Sequence, residues 1–310
     1  MKRSAAYTKL EALLDKRIML ADGAMATFAK QSGLLSDGDC CDMLSLTRPE
    51  SVSHIHRYYL AAGADIIKTN TFNANRISLA RYGQGTLAYE LSRASALLAR
   101  READIFTQKT PARPRFVSGS VGPIVATGQL PAEDVVEPYS DAIEGLLDGG
   151  CDIILVESIM SVEIARSALV AVRIHEKQRG ERVPIIMSAT VDCAGRKLLS
   201  GETIEEFYAA FADEGLLAIG VNCSYGAQQT FPALEYLSSV SRIRVLAMPN
   251  AGLPNAGGGY DETPEIFASR MIRFMDAGFV NIVGGCCGTG PEHISKIAKA
   301  IEKYPPRPLP

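Results

Sequence analysis

Eight short apolar runs, each followed by a stretch of helical periodicity, recur along the 310-residue chain, and this alternation narrows the fold more than any other feature. The runs are IMLAD at 18–22, DIIKT at 65–69, RFVSG at 115–119, DIILVE at 152–157, VPIIMSAT at 183–190, LLAIGVN at 216–222, IRVLAMPN at 243–250 and FVNIVGG at 279–285. Most are continuously apolar rather than alternating, which is the pattern of parallel strands buried on both faces. Between them Val52, Ile55 and Tyr59 share a helical face, as do Phe267, Met271 and Phe274 after Pro264. Ile204, Phe207, Tyr208 and Phe211 do so after Ser200 and Thr203, either of which can cap. The phrases AAGADII, LDGGCDII and MDAGFVNIV each end a helix on glycine and enter a strand directly, the junction of a repeated unit.

Eight such units predict a single-domain α/β fold, the (β/α)8 TIM barrel. A doubly wound sheet is the weaker reading, because no glycine-rich nucleotide loop follows the first run and GSVGP at 119–123 is too generic to supply one. Residues 1–17 read as an amphipathic lead-in helix, 18–302 as the barrel and 303–310, ending PPRPLP, as an extended tail. The longest irregular pieces, 29–49, 70–86 and 251–263, follow strands 1, 2 and 7 and so belong on the C-terminal face, where such barrels carry their chemistry.

A formal charge of −3 and the lack of a basic stripe speak against nucleic acid as a partner. No apolar stretch approaches membrane length, and Glu11 and Asp15 interrupt the N-terminal segment before any signal-peptide core, so a cytoplasmic location is expected. Four scattered histidines disfavour a multi-histidine metal site. Seven cysteines, an odd number, argue against a disulfide framework.

With this register, polar residues gather at the strand ends: Asp22, Asn70, Glu157, Asp192, Asn222, Asn250, and the cysteines Cys223, Cys286 and Cys287. Any one of the Asp or Asn residues could simply cap a helix or close a turn. In a closed barrel, strand 8 lies beside strand 1 with strand 6 near around the rim, so Cys223 can reach the Cys286–Cys287 pair. Three thiolates with a fourth position open form a catalytic rather than a structural zinc arrangement, and GGCCGTG lets the backbone turn. A redox pair and inert buried thiols remain open on spacing alone. Cys40–Cys41 is a competing ligand source, better read as part of a loop over the barrel mouth; Cys151 and Cys193 read as junction and loop residues.

The same residues make the chain resemble the homocysteine S-methyltransferase family, and more closely the homocysteine-binding module of cobalamin-dependent methionine synthase. The phrases that carry the likeness are LADGAMAT at 20–27, AAGADIIKTNTFNAN at 61–75, VESIMSVEIARSA at 156–168, LLSGETIEEFY at 198–208, VNCSYG at 221–226, MPNAGLPNAGGGY at 248–260 and VNIVGGCCGTGPEHI at 280–294. The resemblance implies that Cys223, Cys286 and Cys287 bind Zn2+ and that the homocysteine sulfur fills the open position. It implies that Asp22 and Glu157 hold the substrate's amino group, that the backbone of Gly23, Ala24, Met25 and Gly119 lies by the substrate, and that Asn222 and Asn250 stand at the pocket rim. Departures fall at Lys68, where methionine synthases usually carry Glu, at Met248, where they carry His, and in the loop GPIVATG at 122–128.

A free thiol is mostly protonated at neutral pH, and metal coordination removes that proton. No cobalamin-binding or folate-binding module is present in the sequence. The resemblance to methionine synthase therefore predicts methylcobalamin carried by a separate corrinoid protein in trans as donor. The alternatives are direct transfer from S-methylmethionine or betaine, methylation of a different thiol, or a zinc-binding regulatory barrel without catalysis.

Overall fold

The computed structural model describes residues 1–36, 38–124 and 131–310. All eight expected strands are present: β1 (Met19–Leu20), β2 (Ile66–Lys68), β3 (Phe116–Val121), β4 (Ile153–Ile159), β5 (Ile185–Ala189), β6 (Ala218–Gly226), β7 (Arg244–Asn250) and β8 (Ile282–Val283). They are parallel and pair in the order β1-β8-β7-β6-β5-β4-β3-β2. The ring closes between β1 and β2, where Asp65 N donates to Leu20 O at 2.7 Å and Asp22 N to Ile66 O at 3.0 Å. This is the (β/α)8 barrel that the alternation predicts.

Two apolar layers explain why the strands read as unbroken hydrophobic runs. Inward residues, among them Met19, Ile66, Phe116, Leu155, Ile186, Leu246 and Met248, fill the barrel interior. Their neighbours of opposite parity, such as Leu20, Ile67, Val117, Ile154 and Val245, pack outward against the helices. Helix Ala5–Leu14, capped by the Ser4 hydroxyl, adds Tyr7, Leu10 and Leu14 to the interior cluster. Residues past Tyr304 have no regular structure, yet Arg307 is buried, its guanidinium donating to the carbonyls of Ser238, Ser241 and Ile243.

The helices follow the expected faces. Pro49–Ala61 buries Val52, Ile55 and Tyr59, and Pro264–Asp276 buries Phe267, Met271 and Phe274. Of the two capping candidates before Ile204–Phe211, Thr203 is the cap and forms a reciprocal capping box with Glu206. The long C-terminal-face segments carry more structure than expected: a 3-10 turn at Cys41–Met43 with helix Leu44–Thr47, and a short helix at Arg76–Ala80. Of the loop at 122–128, residues 125–128 lie outside the described residues.

Candidate active site and metal centre

The C-terminal ends of β1, β2, β3, β4, β6 and β8 surround a cavity of about 240 Å³, lined by Asp22 to Thr27, Cys41, Asp42, Lys68 to Asn73, Ser120, Glu157, Ser158, Cys223, Cys286 and Cys287. The three predicted cysteines converge there. Their Sγ atoms lie within 4.8 Å of one another, and Cys223 and Cys287 are 3.7 Å apart. Among the described residues they are the one group of three such side chains spaced to hold a metal ion.

Local backbone departures produce the convergence. On a regular strand Asn222 and Cys223 would face opposite sides. Cys223 and Ser224 instead adopt left-handed φ values of 56° and 61°, and the register with β7 slips between Cys223 and Gly226. Both side chains consequently serve the site. Ser158, at the end of β4, is left-handed as well, with φ 55°. Such conformations cost about 1–3 kcal/mol each and persist where the surroundings enforce them. The Cys286–Cys287 turn is held on both sides: Cys286 N donates to Pro249 O and Ala251 N to Cys287 O, both at 2.9 Å. It exits through Gly288 at φ 81°, where a Cβ would lie 2.3 Å from the Tyr260 ring.

The thiols form one electrostatic unit. Hydrogen bonds from Cys223 and Cys286 draw Cys287 down to about 3, and the hydrogen bond with Cys286 is the main cause that drives Cys223 far above the usual thiol range. Three neighbouring thiolates need a cation to coexist. Ideal tetrahedral zinc–thiolate bonds of about 2.3 Å would separate the sulfurs by roughly 3.8 Å, so the observed spacing and the soft donor set fit zinc.

Behind the thiols lies a polar cluster. Glu157 accepts from the Ser120 hydroxyl and from Asn222 Nδ2 at 3.3 Å, and burial pushes its carboxyl up to about 7 against the pull of Lys68. Asp22 accepts from both the backbone N of Lys68, at 2.8 Å, and its Nζ. Burial raises Asp22, opposed by Lys68. Burial alone would lower Lys68, but Asp22 and Glu157 together leave it raised, so it remains a cation.

The other predicted site residues divide. Gly23, Ala24 and Met25 line the cavity, although a Cβ at Gly23 would strike Thr289 and Tyr59, so its smallness serves packing. Asn222 lies behind the lining and bridges Glu157, Ser158 and, at 4.0 Å, Cys286. Gly119 is not in the lining; its Cβ direction meets Leu146 and Cys151 in the helix layer, while the next residue, Ser120, faces the site. Asn250 is buried outside the lining and donates to Ser224 O. Asp192 closes its own loop through the amides of Arg196 and Lys197. Met248, read as a rim change, belongs to the interior core. Cys40 and Cys41 stay apart from the three-thiol group; Cys41 packs over the mouth and donates to Asn70 Oδ1. Nothing in the sequence marks Ser120, Ser158 or Tyr260 as site residues, and Lys68 stands out there only as a departure from the family phrase. Tyr260 lies beside Cys287 and helps hold down its thiol.

No helix of the described residues is long and apolar enough to cross a membrane. The homocysteine S-methyltransferase family model matches residues 19–301. The chain is similar to the homocysteine methyltransferase MmuM from Escherichia coli. Its metallated form superposes with a TM-score of 0.80 at 24% identity, covering 94% of this chain and 99% of that one. Its apo form does so with a TM-score of 0.74 at 25% identity, covering 94% and 98%. The likeness is therefore to a homocysteine methyltransferase matched over almost its whole length. That overturns the expected donor, a methylcobalamin protein in trans, and the comparisons give no support for a corrinoid partner. The three-thiol centre, the barrel and the match along nearly all of both chains lead to one conclusion, that this protein belongs to the homocysteine S-methyltransferase family.

Proposed function

We propose that the protein methylates homocysteine directly from a small sulfonium donor of the S-methylmethionine type, with Zn2+ held by Cys223, Cys286 and Cys287. The gathering of three soft donors within 4.8 Å of one another in one barrel-mouth cavity is the observation that carries this reading. Zinc bound there would keep the acceptor thiol deprotonated at neutral pH. The chain's own residues do the rest. Cys286 and Cys287 are fixed by backbone hydrogen bonds to β7 and its following loop, and Asn222 holds Glu157 by one amide hydrogen while its oxygen accepts from Ser158 N. Lys68 and Glu157 line the part of the cavity that would receive the amino acid end of the acceptor. The cavity wall orients the thiol for in-line attack on the methyl carbon. The S–CH3 bond forms as the donor's S–CH3 bond breaks, and the electron pair leaves with the donor as a neutral thioether. Homocysteine and S-methylmethionine thus give two methionines with no redox partner. A sulfonium is favoured over betaine because a thioether is a weaker base, and so a better leaving group, than a tertiary amine.

The test is to supply homocysteine with S-methylmethionine, betaine or methylcobalamin in turn and to measure methionine. Methionine should form with S-methylmethionine alone. Formation with betaine only would move the donor to the quaternary-ammonium class. In parallel, Cys286→Ala should lower bound zinc by metal analysis and reduce methyl transfer by about a thousandfold or more; unchanged activity would refute the thiol-activation mechanism.

A further inference from the structure

The charge arrangement at the acceptor end of the cavity differs from the two-carboxylate clamp for an ammonium that the family resemblance implies. Between Asp22 and Glu157 the chain supplies its own cation. Lys68 Nζ donates to Asp22 Oδ1 and its backbone amide to Asp22 Oδ2, so both oxygens of Asp22 are engaged by one residue. Glu157 is engaged on both oxygens too, by Ser120 and Asn222. Lys68 is the more accessible partner of the buried pair, with its side chain 11% exposed against 3% for Asp22. Among the described residues its ammonium has no second hydrogen-bond acceptor, which leaves two of its three N–H donors for whatever enters the cavity. It also lies within electrostatic reach of Cys286.

We infer that Lys68 is a specificity-determining residue that reads the acceptor's carboxylate, so the acceptor class is a short mercapto acid whose carboxylate is required and whose α-ammonium is dispensable. The inference rests on the thiol-methylation reading above. An entering ammonium would meet a fixed cation and carboxylates that already hold donors. An entering carboxylate completes the hydrogen bonding of Lys68 by a charge-assisted bond. A site left with unsatisfied buried donors rejects the analogue that lacks the matching group far more strongly than one that merely adds a group.

Three acceptors separate the possibilities with the zinc-loaded protein and S-methylmethionine: L-homocysteine, its deamino analogue (mercaptobutanoate) and its decarboxylated analogue (aminopropanethiol). Mercaptobutanoate should retain kcat/KM within about tenfold of homocysteine, and aminopropanethiol should lose about a hundredfold or more. Lys68→Met should raise the KM for both acids about tenfold or more and abolish the preference for a carboxylate, with kcat less affected. Asp22→Asn combined with Lys68→Met removes both charges without leaving a buried unpaired carboxylate, and it should show the same loss of preference if the single variant is unstable. Aminopropanethiol accepted as well as homocysteine, or an unchanged acid-over-amine ratio in both variants, would overturn the assignment and leave Lys68 as a structural partner of Asp22. Equilibrium binding of the three thiols by calorimetry is read alongside. If no thiol is methylated but the acids still bind and the amine does not, the reaction assignment fails and the role of Lys68 stands.

Discussion

Asn222 is fully buried and joins the two halves of the site through one side chain. Its amide donates to Glu157 and Ser158, its oxygen accepts from Ser158 N at 2.8 Å, and its nitrogen lies 4.0 Å from Cys286 Sγ. Truncation to Ala would leave a backbone N–H, a hydroxyl and a carboxylate short of a partner in a closed space, at a cost of about 1–3 kcal/mol. Asn222→Ala should therefore lower stability in urea by that amount and reduce methyl transfer while metal binding persists, since no ligand atom is removed. Loss of zinc together with activity would instead place Asn222 among the groups that hold the metal cluster in shape. Residue types of this kind are visible in a sequence, and the strand-end pattern does locate Asn222, Glu157 and the cysteines. Pairings across the barrel are less visible. The Lys68–Asp22 contact depends on the closing register between β1 and β2, and Gly119 and Ser120 differ in role only because successive residues face opposite sides of β3.

At the scale of the element, continuous apolar runs and glycine-ended helices make all eight strands legible, because burial on both faces leaves a direct mark on composition. The left-handed residues Ser158, Cys223 and Ser224 leave none, since none is glycine and the strain is sustained by tertiary contacts. Helix Pro49–Ala61 shows another feature that periodicity does not reveal. His56 is wholly buried on it, neither ring nitrogen has a hydrogen-bond partner among the described residues, and burial pulls it down to about 4. A histidine held below its unfolded value of about 6.5 contributes stability above that pH and loses it as pH falls toward 4, by about 3 kcal/mol in all. His56→Leu should flatten the stability profile of the protein between pH 6.5 and 4 in urea titrations. An equally steep acid limb in the variant would show that other groups drive it. On the far side of the barrel, Thr203→Ala removes one arm of the capping box of Ile204–Phe211 and should cost about 1 kcal/mol, independent of pH in that range.

For the whole molecule, the proposed metal site ties folding to binding. Cys223 belongs to the end of β6, whereas Cys286 and Cys287 follow β8, and only the closed barrel brings them within 4.8 Å. The unfolded chain has no such site, so zinc binding at the proposed ligands would add directly to folding stability. At free zinc a thousandfold above Kd the gain is about 4 kcal/mol. With unfolding entropy scaling with chain length, that corresponds to about 6 °C in Tm. Thermal melts with and without zinc should show an upward shift of this order, and a chelator should reverse it. The shift should shrink as pH falls, because protons compete with the metal for the three sulfurs. Cys223→Ala, which leaves the Cys286–Cys287 turn intact, should remove most of the shift. Cys40→Ala should keep it, because that thiol lies outside the three-sulfur group. If Cys40→Ala removed the stabilisation and Cys223→Ala did not, the metal would belong to the loop over the mouth. The barrel-end cysteines would then be an unmetallated cluster, with no means of lowering the acceptor's thiol pKa.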